Sequence, residues 1–273
     1  MRSLPDSQTL LALWERGERE HPIDRALSIL EAFTGEPRDA LAWLALRRRD
    51  ELLIASRVAA FGPLVEGVAV CGACACKLDT SLDLSARASA SPADGEVDRG
   101  TVEVAGRTIA FRLPDSHDLA SIAYCAEPRA AARTLIARCI EDSGARAVDA
   151  ALDGSVTGDV SDDVSDAVAD DVSDAVSDHD SNDVSDAVTD AVGDAIERLS
   201  DASSIELAMT CPDCGHALRF AVDIGEFLWD ELSARAQHLI DDVDALASAY
   251  GWSEAAILAL PDARRRRYLE RIR

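Results

Sequence analysis

Lysine is almost missing from this chain: Lys77 is the only one in 273 residues. A phosphate-cradling Walker A loop needs a lysine after its glycines, and a Schiff-base enzyme needs one in a pocket. Neither has a plausible candidate here. No G-x-S-x-G, H-E-x-x-H or G-x-G-x-x-G occurs either, which removes the common hydrolase, zinc-protease and dinucleotide fingerprints. The five histidines, at 21, 117, 179, 216 and 238, lie in unrelated segments and read as structural or surface residues. Nothing in these absences points to an enzyme. Aromatics make up only 4% of the chain, so its core must be built mainly from Leu, Val, Ile and Ala. No apolar run approaches membrane-spanning length, and the N-terminus becomes charged too early for a signal peptide. These features predict a cytoplasmic protein with no membrane insertion, in which thiols stay reduced.

Positive charge is the other scarcity. The net charge is -24, which argues against phosphate-driven nucleic-acid binding. The excess is local, because residues 153–194 contain 14 of the 51 acidic residues and neither Lys nor Arg. Outside that segment 37 acids face 27 bases, a net of -10. The segment repeats V-S-D-A or V-S-D-D, with apolar residues at 160, 164, 168, 172, 176, 184, 188, 192 and 196. A strict period of four drifts by about 40° per unit on an α-helix, so over nine units no single face stays buried. Val, Ser and Asp are also weak helix formers. The expectation is a long disordered acidic insert whose end, near 187–199, is helical.

Elsewhere the periodicity is clear. Asp6 or Ser7 starts a helix carrying Leu10, Leu11, Leu13 and Trp14, and Pro22 opens a second that stops at Gly35. A third is expected from Pro37 to Gly62, with Arg47-Arg48-Arg49 on its solvated face. Alternation then takes over around Val68, Val70, Leu78, Thr80 and Leu82. A second hairpin is expected to turn at Ala105-Gly106, between Val102/Val104 and Ile109/Phe111. Helices follow Pro114 and Pro128. After the insert come strands around Leu207/Met209 and Leu218/Phe220, then a helix from about Gly225 to Gly251 and two short ones near Ser253 and Pro261. The predicted class is α+β, mainly helical, with a small antiparallel β core. Four segments are expected: an N-terminal helical region (1–65), a first knuckle with hairpin and helices (66–150), the acidic insert (151–200), and a second knuckle with C-terminal helices (201–273).

The chemistry lies in the cysteines. Cys71-Gly-Ala-Cys74-Ala-Cys76 and Cys211-Pro-Asp-Cys214-Gly-His216 occupy matching contexts: an alternating strand before each C-x-x-C, a Leu four residues after its second Cys, and another strand beyond. Two hairpins with a thiol pair at each tip make a four-cysteine tetrahedron, the zinc-ribbon arrangement. Cys71, Cys74, Cys211 and Cys214 are the expected ligands of a structural Zn2+. Cys76 and His216, two residues past each second thiol, are possible substitutes. Cys125 and Cys139 read as small hydrophobes on helical apolar faces. Loop-closure cost rises slowly with length, so the 136 residues between the pairs do not preclude the site. Four thiolates leave no open position for catalysis, and a redox C-x-x-C expects a βαβ setting that is missing.

The flanks of the knuckles carry a further signal. LALWERGEREHPIDRAL, FGPLVEGVAVCGAC, IAFRLPDSHDLA, CPDCGHALRFAVDIGEFLWDEL, AYGWSEAAILAL and RRRRYLE form a series over roughly residues 8–84, 101–142 and 203–270. This series resembles the zinc-knuckle baseplate proteins of tailed phages and phage-derived contractile injection systems, akin to T-even-type baseplate hub or hub-assembly proteins. The resemblance carries over the four thiols and no catalytic residue. It implies a structural or assembly role with other baseplate or tail proteins as partners, in the cytoplasm or within a phage-tail-like particle. The chain departs from the pattern at Gly72, where Pro is usual, at Cys76, and in the expanded repeat. A zinc-ribbon adaptor for nucleic-acid or transcription machinery is the main alternative and predicts a basic, aromatic-bearing ribbon face. A thiol-redox protein, the lesser alternative, predicts reactive cysteines without zinc.

Overall fold

Helix α1 (Ser7–Gly17) starts at Asp6, whose carboxylate accepts a hydrogen bond from the Thr9 N–H at 2.9 Å. This satisfies one of the donors a helix N-terminus leaves open. In the computed structural model, which describes residues 4–88, 98–141, 178–200 and 205–272, α2 follows at Pro22–Thr34. The single helix expected from 37 to 62 is instead two, α3 (Arg38–Ala42) and α4 (Leu46–Phe61). The break lies at 43–45, where Ala45 leaves helical geometry to form a β-bridge with Asp115. Periodicity alone did not reveal it, because the partner is 70 residues away.

Three antiparallel hairpins follow in chain order: β1 (Leu64–Val70) with β2 (Lys77–Asp83), β3 (Arg99–Val104) with β4 (Arg107–Arg112), and β5 (Glu206–Thr210) with β6 (Ala217–Ala221). Each is a separate two-stranded sheet. The remaining helices are α5 (Ser85–Ala88), α6 (Ser116–Ile122), α7 (Pro128–Cys139), α8 (Asp178–Ser200), α9 (Ile224–Tyr250), α10 (Glu254–Leu258) and α11 (Asp262–Ile272). Among the described residues no helix is long and apolar enough to cross a membrane.

The chain divides into two compact units, and the first is assembled from Met1–Pro92, Asp115–Ala120 and Ala202–Arg273. Its core joins Leu10 and Leu13 of α1, Leu27, Ile29, Leu30 and Phe33 of α2, Leu53 and Ile54 of α4, and Leu228, Leu232 and Leu239 of α9. Val65, Leu84 and Ile205, at the bases of the two cysteine hairpins, belong to the same cluster. The hairpins are therefore rooted in the helical core by apolar burial, the main stabilising term in such folds.

A buried ion pair reinforces this root. Arg57 of α4 is only 3% exposed and donates to Glu231 of α9 through Nε and Nη2, at 3.0 and 2.8 Å. Its Nη1 donates to the Gly62 carbonyl, just before β1 begins. One guanidinium thus joins the residues leading into the first hairpin to the helix that follows the second. A comparable anchor, Arg265 of α11, is 1% exposed and donates to Asp242, Asp262 and Ser7. The Arg47-Arg48-Arg49 run is not a bare solvated face: Arg47 and Arg48 pair with Glu51 at 2.6 and 3.0 Å, and Arg49 pairs with Asp50 at 2.8 Å.

The second unit comprises Ala93–Pro114 and Ser121–Asp201. Ile109 and Phe111 of β4, Ile136 of α7 and the adjoining Ile140 pack with Val188, Val192 and Ala195 of α8. The helical end expected near 187–199 is present in α8, and residues 142–177 of the insert lie outside the described residues. The helical end begins at 178, nine residues before the expected 187. Drift had been expected to leave the repeat without a buried face. In α8 the apolar spacing changes at Ala195, so that 188, 192, 195 and 199 are separated by 4, 3 and 4, which holds one face of a helix in register. Cys139 is fully buried as expected, whereas Cys125 is an exposed loop residue rather than a helical core one. It falls between α6 and α7, where no helix carries an apolar face.

Replacing Arg57 with Ala leaves Glu231 and the Gly62 carbonyl without their partner, and should cost about 3 kcal/mol in urea unfolding. Arg57→Lys should recover only part of this, because an ammonium cannot supply the two-pronged contact.

Candidate metal centre

Each cysteine hairpin ends in a tight turn with the same backbone plan. The Cys71 N–H donates to the Cys76 carbonyl at 2.9 Å, and the Ala75 N–H to the Cys71 carbonyl at 2.8 Å. At the second tip the Cys211 N–H donates to the His216 carbonyl and the Gly215 N–H to the Cys211 carbonyl, both at 2.9 Å. Ala75 and Gly215 occupy equivalent positions with φ of 60° and 73°. That left-handed conformation is open to glycine but strained for alanine.

The two tips bring Cys71, Cys74, Cys211 and Cys214 together, with all four sulfurs within 4.8 Å of one another. Cys71 Sγ is 3.7 Å from Cys214 Sγ, and Cys74 Sγ is 3.6 Å from Cys211 Sγ. A tetrahedron with metal–sulfur bonds of about 2.3 Å has edges of about 3.8 Å, so the spacing fits a single zinc-sized ion. One thiol of each pair is buried, Cys71 and Cys211, and one exposed, Cys74 and Cys214. Leu78 and Leu218, the leucines four residues past each second cysteine, pack beneath the sulfurs with Met209 and Phe220 alongside.

Backbone amides prepare the sulfurs for negative charge. The N–H groups of Ala73 and Cys74 hold the Cys71 thiol below the ordinary thiol range. Burial opposes ionisation of Cys211, yet the N–H groups of Cys214 and Asp213 and the neighbouring thiols hold it down at about 6. The second thiols respond differently. Cys214 receives the His216 N–H, which favours thiolate, but the neighbouring thiols of Cys74, Cys211 and Cys71 push it up to about 12. Cys74 is raised for the same reason, against the pull of the Cys76 N–H. Thiolates this close discourage one another, and a bound cation removes that conflict.

This pattern also shows what Cys76 and His216 contribute. Each supplies the amide to its second thiol and the carbonyl that accepts from its first cysteine, so the shared position is used through the backbone. Neither side chain belongs to the compact group of four. His216 is exposed; Cys76 is half-buried, and contact with Asp213 pushes its thiol up to about 12. The duplicated Leu after each C-x-x-C was the sequence signal for this plan. The amide donors carry no side-chain signature and were not visible beforehand.

Comparison with known proteins places the chain in a family. The T4 bacteriophage base plate protein family matches residues 4–229, so the chain belongs to that family. The match spans both thiol pairs and the segment between them. No curated protein and no solved structure matches the chain significantly.

In metal-free protein a thiolate ultraviolet absorbance step with a midpoint near 6 is expected, absent in Cys211→Ser. Unfolded thiols ionise near about 8.5, so this ionisation favours the folded metal-free state fully above that pH and is lost as pH falls through 6. Gly215→Ala forces a side chain into the left-handed position and should cost about 1–2 kcal/mol, without removing a ligand.

Proposed function

We propose that this protein is a structural or assembly component of a phage-tail-like baseplate, held in shape by one zinc ion on Cys71, Cys74, Cys211 and Cys214. The observation that carries the reading is the convergence of thiols 137 and 143 residues apart in sequence, in a chain belonging to a baseplate family. The donor set is all sulfur, which suits a closed structural zinc and leaves no position for a substrate or an activated water. The protein acts without catalysing a reaction: zinc fixes the two hairpins against each other, and other tail proteins assemble on the shaped surface. A nucleic-acid adaptor is disfavoured by the second hairpin, where Arg219 is turned toward Glu206 at 3.7 Å.

Purified protein should hold about one zinc per chain, lost in Cys211→Ser together with native stability, since structural zinc contributes of order 10 kcal/mol. Metal-free protein with unchanged stability would refute the staple. The assembly role is checked by mass spectrometry of contractile particles from the native host. Low, fixed stoichiometry identifies a baseplate part, binding only to unassembled baseplate proteins identifies an assembly factor, and finding neither overturns the role.

A further inference from the structure

The two cysteine hairpins are near-copies in backbone, which makes their differences informative. Matching Cys71 to Cys211 places Val68 and Val70 of β1 opposite Ala208 and Thr210 of β5. On the first hairpin the face formed by Leu64, Glu66, Val68 and Val70, with Lys77, Asp79, Ser81 and Asp83 across from them, is exposed throughout. Leu64, Val68 and Val70 are 51%, 61% and 52% exposed. The same face of the second hairpin carries Glu206, Ala208, Thr210, Ala217, Arg219 and Ala221, which are small or polar, and its two charges pair with each other. Building a thiol-bearing tip therefore does not require exposed valines.

Charge differs in the same way. Glu66, Asp79 and Asp83 surround the first hairpin's apolar row against the single cation Lys77, and Glu66 and Asp79 form no ion pair among the described residues. The sheet has only two strands, so the outer edge of β1 is free of a strand partner among the described residues. Open edges of this kind accept an added strand, with side-chain contacts on one face supplying selectivity.

We infer that β1 is a docking edge for an extended segment of another protein, carrying apolar side chains opposite Leu64, Val68 and Val70 and a basic one opposite Glu66. A second copy of this chain is a poor occupant, because β1 carries no basic side chain to set opposite Glu66, and the pairing would join two molecules of net charge -24. The identity of the occupant as a baseplate protein rests on the assembly role proposed above; the edge itself does not.

The register dictates a probe. Laid antiparallel along β1 from Val70 to Leu64, the peptide Val-Thr-Val-Thr-Lys-Thr-Val places Val on Val70, Val68 and Leu64, and Lys on Glu66. Fluorescence anisotropy of the labelled peptide with full-length zinc-loaded protein should give saturable binding. Val68→Ala/Val70→Thr, which installs the second hairpin's own residues, should weaken it about tenfold, from lost apolar contact, with zinc content unchanged. Changing the peptide's Lys to Glu should weaken binding similarly, and Glu66→Lys should reverse that preference. No saturable binding, or equal binding by the double variant, would overturn the proposal, the latter assigning the peptide to acidic surface elsewhere. Self-association in sedimentation that Val68→Ala/Val70→Thr abolishes would overturn it in favour of a second copy. The titration needs no particle, so its failure leaves the assembly role standing, and absence from particles leaves the edge standing.

Discussion

Four sulfurs held within 4.8 Å of one another are a constraint that the rest of this fold must satisfy. Each thiolate stabilised by a backbone amide makes its neighbours harder to ionise, as the contrast between Cys211 near 6 and Cys214 near 12 shows. Charge of that density is tolerated where a cation compensates it. The constraint is also topological. The sulfurs come from tips separated by about half of the 273-residue chain, and both hairpins, whose tips meet, are anchored at their bases.

The anchoring uses two kinds of interaction with different reach. Val65, Leu84 and Ile205 bury the hairpin bases in the core of α1, α2, α4 and α9, an attraction that is strong but indifferent to direction. Arg57 adds direction, because a guanidinium with paired contacts to Glu231 and a third to Gly62 fixes how α4 meets α9. Burial brings the hairpins to the same region and the ion pair limits their orientation. A metal ion at this site would act on thiols already close to tetrahedral spacing. The second unit takes no part in these contacts and has its own core, which includes Phe111, Ile136 and Val192.

What could be read from the sequence follows the range of the interactions. Helix starts at Asp6 and Pro22, the Ala105-Gly106 turn and the twin C-x-x-C hairpins are local patterns, and the structure contains each of them. Features set by distant partners were not legible. The α3–α4 break depends on Asp115, and the burial of Arg57 and Arg265 depends on residues 174 and up to 258 positions away. The repeat lies between these cases. Its strict period of four argued against any buried face, but the shift at Ala195 to a 4-3-4 spacing restores one over α8. For Cys125 a helical period was assumed across a stretch that is in fact a loop.

The duplicated hairpin offers a way to separate requirements that usually coincide. Positions alike in both copies are those the four-cysteine cluster needs: the thiols, the leucines beneath them, and a residue after each second cysteine that tolerates left-handed geometry. That last requirement is met comfortably by Gly215 and under strain by Ala75, so it constrains the backbone more than the side chain. Positions that differ are released from the demands of the cysteine cluster. The first hairpin uses that freedom to expose an apolar, acid-flanked face, and the second closes its face with the Arg219–Glu206 pair. Exposed valines cost solubility, and a chain carrying such strong negative charge elsewhere can sustain a small apolar row without general aggregation. The same four-cysteine cluster therefore joins two unlike surfaces, of which the first is the one suited to contact a neighbour.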